Sequence, residues 1–435
     1  MLSLDQLRAE AEAGTIDTVV TAFTDMQGRL VGKRIEVSYF LDEVTDHGVE
    51  GCNYLLALDM EMDPVPGYEL FSWEKGYGDF GIVPDLATLR RIPWLDRTAL
   101  VICDVVNHDG SPVVASPRQI LIAQYERALE EGYTPMFASE LEFYLYKQSY
   151  AQAHEQDYTD LTPTIPYVLD YHILATTMDE NVLGPIRRGM HGAGIPVEFS
   201  KGEAWYGQHE VNTRYADAIT SADRHTIYKN GVKEIAFLHG VSATFMAKPS
   251  EKDIGSSCHV HSSLIDASGA SAFVAGDEET DIFRHYLGGQ RARIRELALF
   301  VAPTINSYKR YASESWAPTR SLGRVTTARL DSGSSATGSR GALSAGSRAP
   351  MLTRISRMRR CWPLVSTGSP RAPTRDRSSR ATRTRRPRPS HFRRRCAKPS
   401  ICGSAVNSRA RRSAKTPGAI ICTTAGPNSG CSIRW

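Results

Sequence analysis

The charge pattern changes abruptly near Arg320, and this limits what the chain can fold into. Residues 321–435 carry 25 Lys and Arg against two acids, Asp331 and Asp376, amid Ser, Pro, Gly and Ala. The preceding 320 residues hold 27 basic and 46 acidic residues, a net charge of −19, so the overall +4 is the sum of two opposite parts. A segment so basic and so poor in apolar runs cannot bury enough surface to offset the entropy of ordering it. Any packed core must therefore come from residues 1–320, which are long enough for two domains.

That body holds three cysteines, Cys52, Cys103 and Cys258, with no CxxC pair, which argues against a disulfide framework. The five tail cysteines show no metal-ligand spacing. No apolar run approaches the roughly 18 residues of a membrane span. The opening "MLSLDQLRAEAEAG" is acidic and amphipathic, unlike a signal peptide. A cytoplasmic enzyme with no membrane partner is the expectation.

Residues 4–13 read as a helix. "IDTVVTAF" (16–23) and "LVGKRIEV" (30–37) read as strands around a turn at Gly28, and "ALVICDVV" (99–106) as a buried strand. "SPRQILIAQYERALEEG" predicts a helix with Ser116 as N-cap, Pro117 at its first position, Gln119 completing a capping box, and Gly132 at its end. Further helices are expected over 173–193, 220–239 and 280–300. The pattern gives an α+β chain with antiparallel signals: a first domain over 1–108, a second over 109–320 and a basic tail over 321–435.

Three strand-like segments carry polar residues in phase. In "YTPMFASELEFYLY" (133–146), Glu140 and Glu142 leave one face while Leu141 and Phe143 leave the other. In "EFSKGEAWYGQHEVNTRY" (198–215), Gln208, Glu210, Asn212 and Arg214 share a face, with Glu203 on the turn before them. In "GSSCHVHSSL" (255–264), His259, His261 and Ser263 lie opposite Val260 and Leu264. One such strand alone is as readily a solvated surface. Three together imply a divalent-cation site, because clustered carboxylates repel without a counter-ion. Carboxylates outnumbering imidazoles, without thiolates, favour Mg²⁺ or Mn²⁺ over zinc, and phosphoryl transfer is the chemistry such ions commonly serve.

These stretches resemble the glutamine synthetase family. "FASELEFYLY" and "KGEAWYGQHEVNTRY" resemble its two glutamate motifs, "GSSCHVHSSL" its histidine motif, and "APTINSYKRY" the loop carrying a substrate arginine. "AFTDMQGRLVGKRI" resembles the opening of its N-terminal β-grasp domain. The resemblance implies a β-grasp domain followed by an antiparallel, half-barrel catalytic domain that assembles into a homo-oligomeric double ring, a dodecamer. It implies ATP as cosubstrate, with glutamate joined to an amine or ammonium through γ-glutamyl phosphate. Glu142, Glu203 and Glu210 would hold one metal, and Glu140 and His259 would help hold a second. Arg310, Gly255, His259 and Glu142 would serve glutamate. Glu198, Tyr215, His261 and Ser263 would lie along ATP, although Tyr215 leaves the opposite strand face from Glu210.

Two departures bear on the nucleophile. Ammonium-using members place an aspartate, lent by the neighbouring subunit, in a motif aligned with "VEGCNY", where this chain has Glu50. They also place a glutamate on the flap after the "YKR" arginine, where this chain has Trp316. Exchanging a carboxylate for an indole suits an organic amine, with ethanolamine, a polyamine or another small primary amine as the acceptor. An ammonium-using enzyme and a non-catalytic sensor of glutamate or ATP are the alternatives.

Beyond Arg320 the family pattern is legible only in another reading frame. Taking the third base of each codon with the first two of the next, Val325 to Gly338 can be decoded as "DNRTTGFRIVGHG". Ala349 to Val365 can be decoded as "ADADPYLAYAALLAAG", and Leu343–Ser344 allows Glu between them. Met351–Leu352 must give Ala or Val. The tail therefore reads as out-of-frame translation that removes further substrate arginines and a metal-ligand glutamate, leaving the activity of this chain in question. A nucleic-acid-binding role for "RAPTRDRSSRATRTRRPRPSHFRRR" (371–395) is the rival. Few aromatics interleave its arginines for base stacking, so no specific nucleic acid is expected.

Overall fold

The computed structural model describes residues 1–312 and 317, apart from 70, 73–75, 169 and 277. The readings of Trp316 and of the basic tail fall outside the described residues.

Alternating apolar residues build a first sheet from β1 (Thr18–Thr24), β2 (Leu30–Glu36), β3 (Val49–Cys52), β4 (Asp79–Pro84), β5 (Arg90–Arg91) and β6 (Thr98–Val106). Its order is β2-β1-β6-β4-β3, with β5 also on β6. β1 and β2 form an antiparallel hairpin, and β1 runs parallel to β6. Gly28 turns that hairpin at φ +74°, a conformation glycine adopts without a Cβ penalty. The helix Leu4–Glu12 caps itself with a Ser3–Gln6 capping box and buries Leu7 against Ile16, Val19, Phe23, Phe80 and Val101.

The second sheet is antiparallel: β7 (Tyr133–Tyr146), β8 (Val197–Gly202), β9 (Gln208–Thr213), β10 (Ala216–Asp217), β11 (Ser242–Thr244) and β12 (Cys258–Asp266). β7 organises it, pairing with β9, β10, β11 and β12. The odd phase of β7, Leu141, Phe143 and Leu145, packs with Val211, Cys258 and Val260 against the helices Glu180–Gly192 and Ala218–Leu238. Those helices present Val182, Leu183, Ile186 and Met190 from one, and Ile227, Val232 and Ile235 from the other. β6 serves both cores: Val101, Cys103 and Val105 belong to the first, and Leu100 and Ile102 to the second.

Two local expectations are corrected. Ser116 sits at the N-cap before Pro117–Glu130, but its side chain makes no cap hydrogen bond and there is no capping box with Gln119. Pro117 fixes the first turn, and the Ser116 carbonyl accepts from Ile120 N–H at 3.0 Å, so the backbone starts the helix unaided. The segment 173–193 forms two helices, Ile173–Met178 and Glu180–Gly192. The break is at Asp179, whose buried carboxylate accepts from Thr164 Oγ1 at 2.6 Å and contacts His209 Nε2 at 2.7 Å. No helix among the described residues is long and apolar enough to cross a membrane.

Arg118 ties these parts together. Its buried guanidinium reaches Asp104 on β6 at 2.5 Å, Asp85 at 2.7 Å, and Asp223 on the helix Ala218–Leu238 at 3.0 Å. Removing one partner from a buried ionic group leaves charge without compensation, at a cost of roughly 3–5 kcal/mol. Arg118→Met is expected to lower urea-unfolding stability by about that amount. A loss under ~1 kcal/mol would show that water already serves these carboxylates.

Candidate functional site

The even phase of β7 points away from the helices, and sheet register decides what meets it. Glu140 pairs with His259 on β12 and with Asn212 on β9, and Asn212 pairs in turn with Phe199 on β8. One step along the strand, Glu142 pairs with Glu210 on β9, and Glu210 with Lys201 on β8. Directly paired residues share a sheet face, so both rows line one surface.

Two sets of ligand atoms converge there. Glu142, Glu203 and Glu210 form one, and Glu140, Glu210 and His259 the other; within each set the atoms lie within 4.8 Å of one another. Glu210 belongs to both sets. His259 Nδ1 lies 3.0 Å from Glu140 Oε2. His261 Nε2 lies 3.0 Å from Glu140 Oε1, but no directed hydrogen bond forms, so this is an ion-pair contact at most.

The electrostatics are those of a cation site. Burial, then the Glu203, Glu140 and Glu142 carboxylates, push Glu210 up to about 8. Glu203 is raised by burial and by Glu142, against the opposing pull of Lys201. Burial also raises Glu140, but its contacts with His259 and His261 outweigh that and bring it down to about 2. A divalent ion would remove the repulsion at Glu210. Oxygen donors with one imidazole fit Mg²⁺ or Mn²⁺.

A second layer fixes these ligands. Glu142 accepts from Gln208 Nε2 at 3.1 Å and Ser257 N at 2.9 Å, and also from the Ser257 hydroxyl. Gln208 Nε2 also reaches the Gly255 carbonyl at 3.4 Å. Gly255 abuts Arg310: a Cβ there would sit 2.8 Å from Arg310 Nε and 2.7 Å from the Ala247 carbonyl. Asn306 anchors the loop that carries Arg310. Its amide donates to the Lys248 carbonyl at 2.9 Å, and its side-chain oxygen accepts from Lys248 N at 2.8 Å.

The other anticipated residues are more dispersed. Glu198 is exposed at a bulge of β8, 3.9 Å from Arg214. Tyr215 is half-buried just past β9. Ser263 is half-buried further along β12, opposite Met136. Glu50 is exposed on β3, an end strand of the first sheet. Sequence reasoning missed Lys201, Ser257 and Asn306. Alternation two residues before Glu203 was the one available signal for Lys201.

Comparison with known proteins identifies the family. Residues 114–322 match the family described as glutamine synthetase, catalytic domain. The chain is 51% identical over 318 residues to the gamma-glutamylethanolamide synthetase of Streptomyces coelicolor, covering 73% of this chain and 69% of that protein. The chain belongs to the glutamine synthetase family. It is also 37% identical over 315 residues to the glutamate–isopropylamine ligase of a Pseudomonas species, covering 72% of this chain and 69% of that protein. Among solved structures it resembles the GmaS/ADP complex, with a TM-score of 0.61 and 28% identity, covering 71% of this chain and 67% of that one. As in other members of the family, the catalytic fold combines sheet and helices.

Glu210 gives a pH prediction. Its carboxyl, raised in the folded state above the ordinary value of 4.5, keeps a proton that the unfolded chain has lost. The metal-free protein is therefore expected to lose stability as pH rises from about 4.5 to 8. Cation binding must displace that proton, so Mn²⁺ or Mg²⁺ affinity rises over the same window. Isothermal titration at several pH values would measure it, and Glu210→Gln should weaken binding at least tenfold and flatten the dependence. A pH-independent affinity in the native chain would contradict this account.

Proposed function

We propose that the site serves an ATP-dependent glutamate–amine ligase. The γ-carboxylate of glutamate attacks the γ-phosphorus of ATP, giving γ-glutamyl phosphate and ADP. An amine then attacks the acyl carbon, loses a proton and expels phosphate, leaving a γ-glutamyl amide. The observation that carries this reading is the pair of ligand sets joined through Glu210, with Arg310 and Gly255 beside Glu142. The relatives named for γ-glutamyl amide synthesis favour the organic-amine branch, and the ADP in the GmaS structure favours ATP as phosphoryl donor.

In this reading Glu142, Glu203 and Glu210 hold one divalent ion, and Glu140 and His259 help hold a second. Such ions would supply positive charge that screens the approach of a carboxylate to a triphosphate. Arg310, packed on Gly255, presents a planar fork of donors to glutamate or to the leaving phosphate. His259 and Glu142 border the same substrate. His261 and Ser263 on β12, with Glu198 and Tyr215 at the corresponding ends of β8 and β9, lie along ATP. His261 and Ser263 lie toward Met136 along β7, and Gln208 with Gly255 toward Tyr144, so nucleotide and glutamate would occupy opposite ends with the metal ligands between them.

Residues 1–108 form the family's β-grasp domain in this reading, and the mixed sheet with its β1–β2 hairpin supports it. Residues 109–320 form the catalytic domain, and 321–435 an out-of-frame tail; the family match ends at residue 322. Glu50, exposed on an end strand, suits a residue lent to a neighbouring subunit in a dodecameric ring. Together with Trp316, which the family resemblance aligns with a flap glutamate, it points to an organic amine as acceptor. Sequencing the gene across codon 320 tests the frame.

Two outcomes are expected of a chain whose frame is restored after Arg320. Phosphate release with ATP and glutamate should be faster with ethanolamine or isopropylamine than with ammonium; a strong preference for ammonium overturns the organic-amine reading. Gly255→Ala should raise the glutamate KM about tenfold or more, roughly 1.4 kcal/mol of lost binding, because Arg310 must move. An unchanged KM would remove Arg310 from the glutamate subsite.

A further inference from the structure

The row Glu142–Glu210–Lys201 ends on a cation supplied by the protein. Lys201 Nζ lies 2.6 Å from Glu203 Oε1 and 3.2 Å from Asp170 Oδ1, and 3.9 Å from the centroid of the Tyr171 ring. Its side chain is largely buried. An aromatic face flanked by two carboxylates is the ordinary recognition geometry for an alkylammonium. Here the alkylammonium is a lysine, and one of its carboxylates, Glu203, belongs to a metal-ligand set. The cage also stands at the glutamate end of the strand axis. Lys201 and Glu142 both pair with Glu210, and Glu203 follows β8 at the end where Gln208 contacts Gly255.

We infer that Lys201 selects the acceptor: it fills the alkylammonium cage beside Glu203 and so restricts the enzyme to amines without a second positive charge. This rests on the ligase reading above. An attacking nitrogen needs a free lone pair, so a reacting monoamine is neutral as it reaches the acyl carbon. A diamine at the same moment still carries its other ammonium. The carboxylates that would hold that charge, Glu203 and Asp170, are already bonded to Lys201. Being part of the same chain, Lys201 competes at a high effective concentration that a free diamine cannot match. A fixed positive charge at the rim of the acyl site also repels a cationic tail. A hydroxyl or short alkyl tail meets neither obstacle.

Ethanolamine and 1,2-diaminoethane are probes of nearly equal size that differ in this charge. Their binding to the chain whose frame is restored after Arg320, with glutamate, ADP and Mg²⁺ present, can be measured by ligand-observed NMR alongside phosphate release with ATP. The native chain is expected to bind ethanolamine at least tenfold more tightly. Lys201→Met should abolish or reverse that preference, and Lys201→Arg should keep it. Circular dichroism melting of both variants separates a loss of preference from a loss of fold. A preference unchanged in Lys201→Met, or equal binding of both probes by the native chain, overturns the inference and leaves the ligase reading in place. If no amine binds any folded variant, the ligase reading falls and the inference with it.

Discussion

Everything at the candidate site depends on carboxylates being held close together in a partly dry place. Glu142 and Glu210 are directly paired across β7 and β9, both buried, with Glu203 and Glu140 beside them. Such an arrangement is unfavourable by itself, because each charge disfavours the next and burial disfavours them all. It persists because the scaffold behind it is apolar and well packed. Leu141, Phe143 and Val211, the neighbours that alternate with these acids, are fixed against two long helices. The ladder sets the spacing, and the hydrophobic core meets its cost.

Hydrogen bonds then choose the orientation. Ser257 and Gln208 between them engage both oxygens of Glu142, so the carboxylate cannot rotate away from the cluster. Both partners come from loop-proximal positions brought in by the pairing of β9 and β12 with β7. Lys201 performs the same service for Glu203, but with a full charge. The cluster is therefore graded. Its β8 edge is offset by the protein's own ammonium, its β12 edge is contacted by imidazoles, and its centre at Glu210 has no cationic side chain directly bonded to it among the described residues. That centre is where a bound cation gains most.

Much of this was legible in the sequence because period-two alternation is a local property. Glu140 with Glu142, and His259 with His261, could be placed on one face from phase alone, and the structure puts them there. Register is not local. That Glu210 faces Glu142 rather than Glu140 depends on the β7–β9 pairing, and Lys201's place depends further on a bulge at Glu198 that shifts β8 by one residue. The break at Asp179 was hidden for a similar reason. Its carboxylate is captured by His209 and Thr164, groups distant in sequence, which interrupts a pattern that looks continuously helical. The Asn306–Lys248 lock spans 58 positions, and nothing near Asn306 announces it.

The direction of the strands matters as much as their faces. Along β7, the positions from Ala138 to Tyr144 are met in turn by His261, by His259 and Asn212, by Glu210, and by Gln208. A reaction that moves a phosphoryl group from one substrate to another needs them separated by about the length of that group, with positive charge between them. Strand rise sets successive same-face residues roughly 6.6–6.8 Å apart, so three such steps span about 20 Å. That is the reach of a nucleotide laid toward an amino acid. Ends that distinct also let selection act on one without disturbing the other. In the proposed reading an acceptor at the Gln208 end would meet Gly255, Arg310 and Lys201, whereas His261 lies against Glu140 toward the other end. A single antiparallel sheet can thus keep the phosphoryl-transfer core fixed while residues at one end decide which amine is joined.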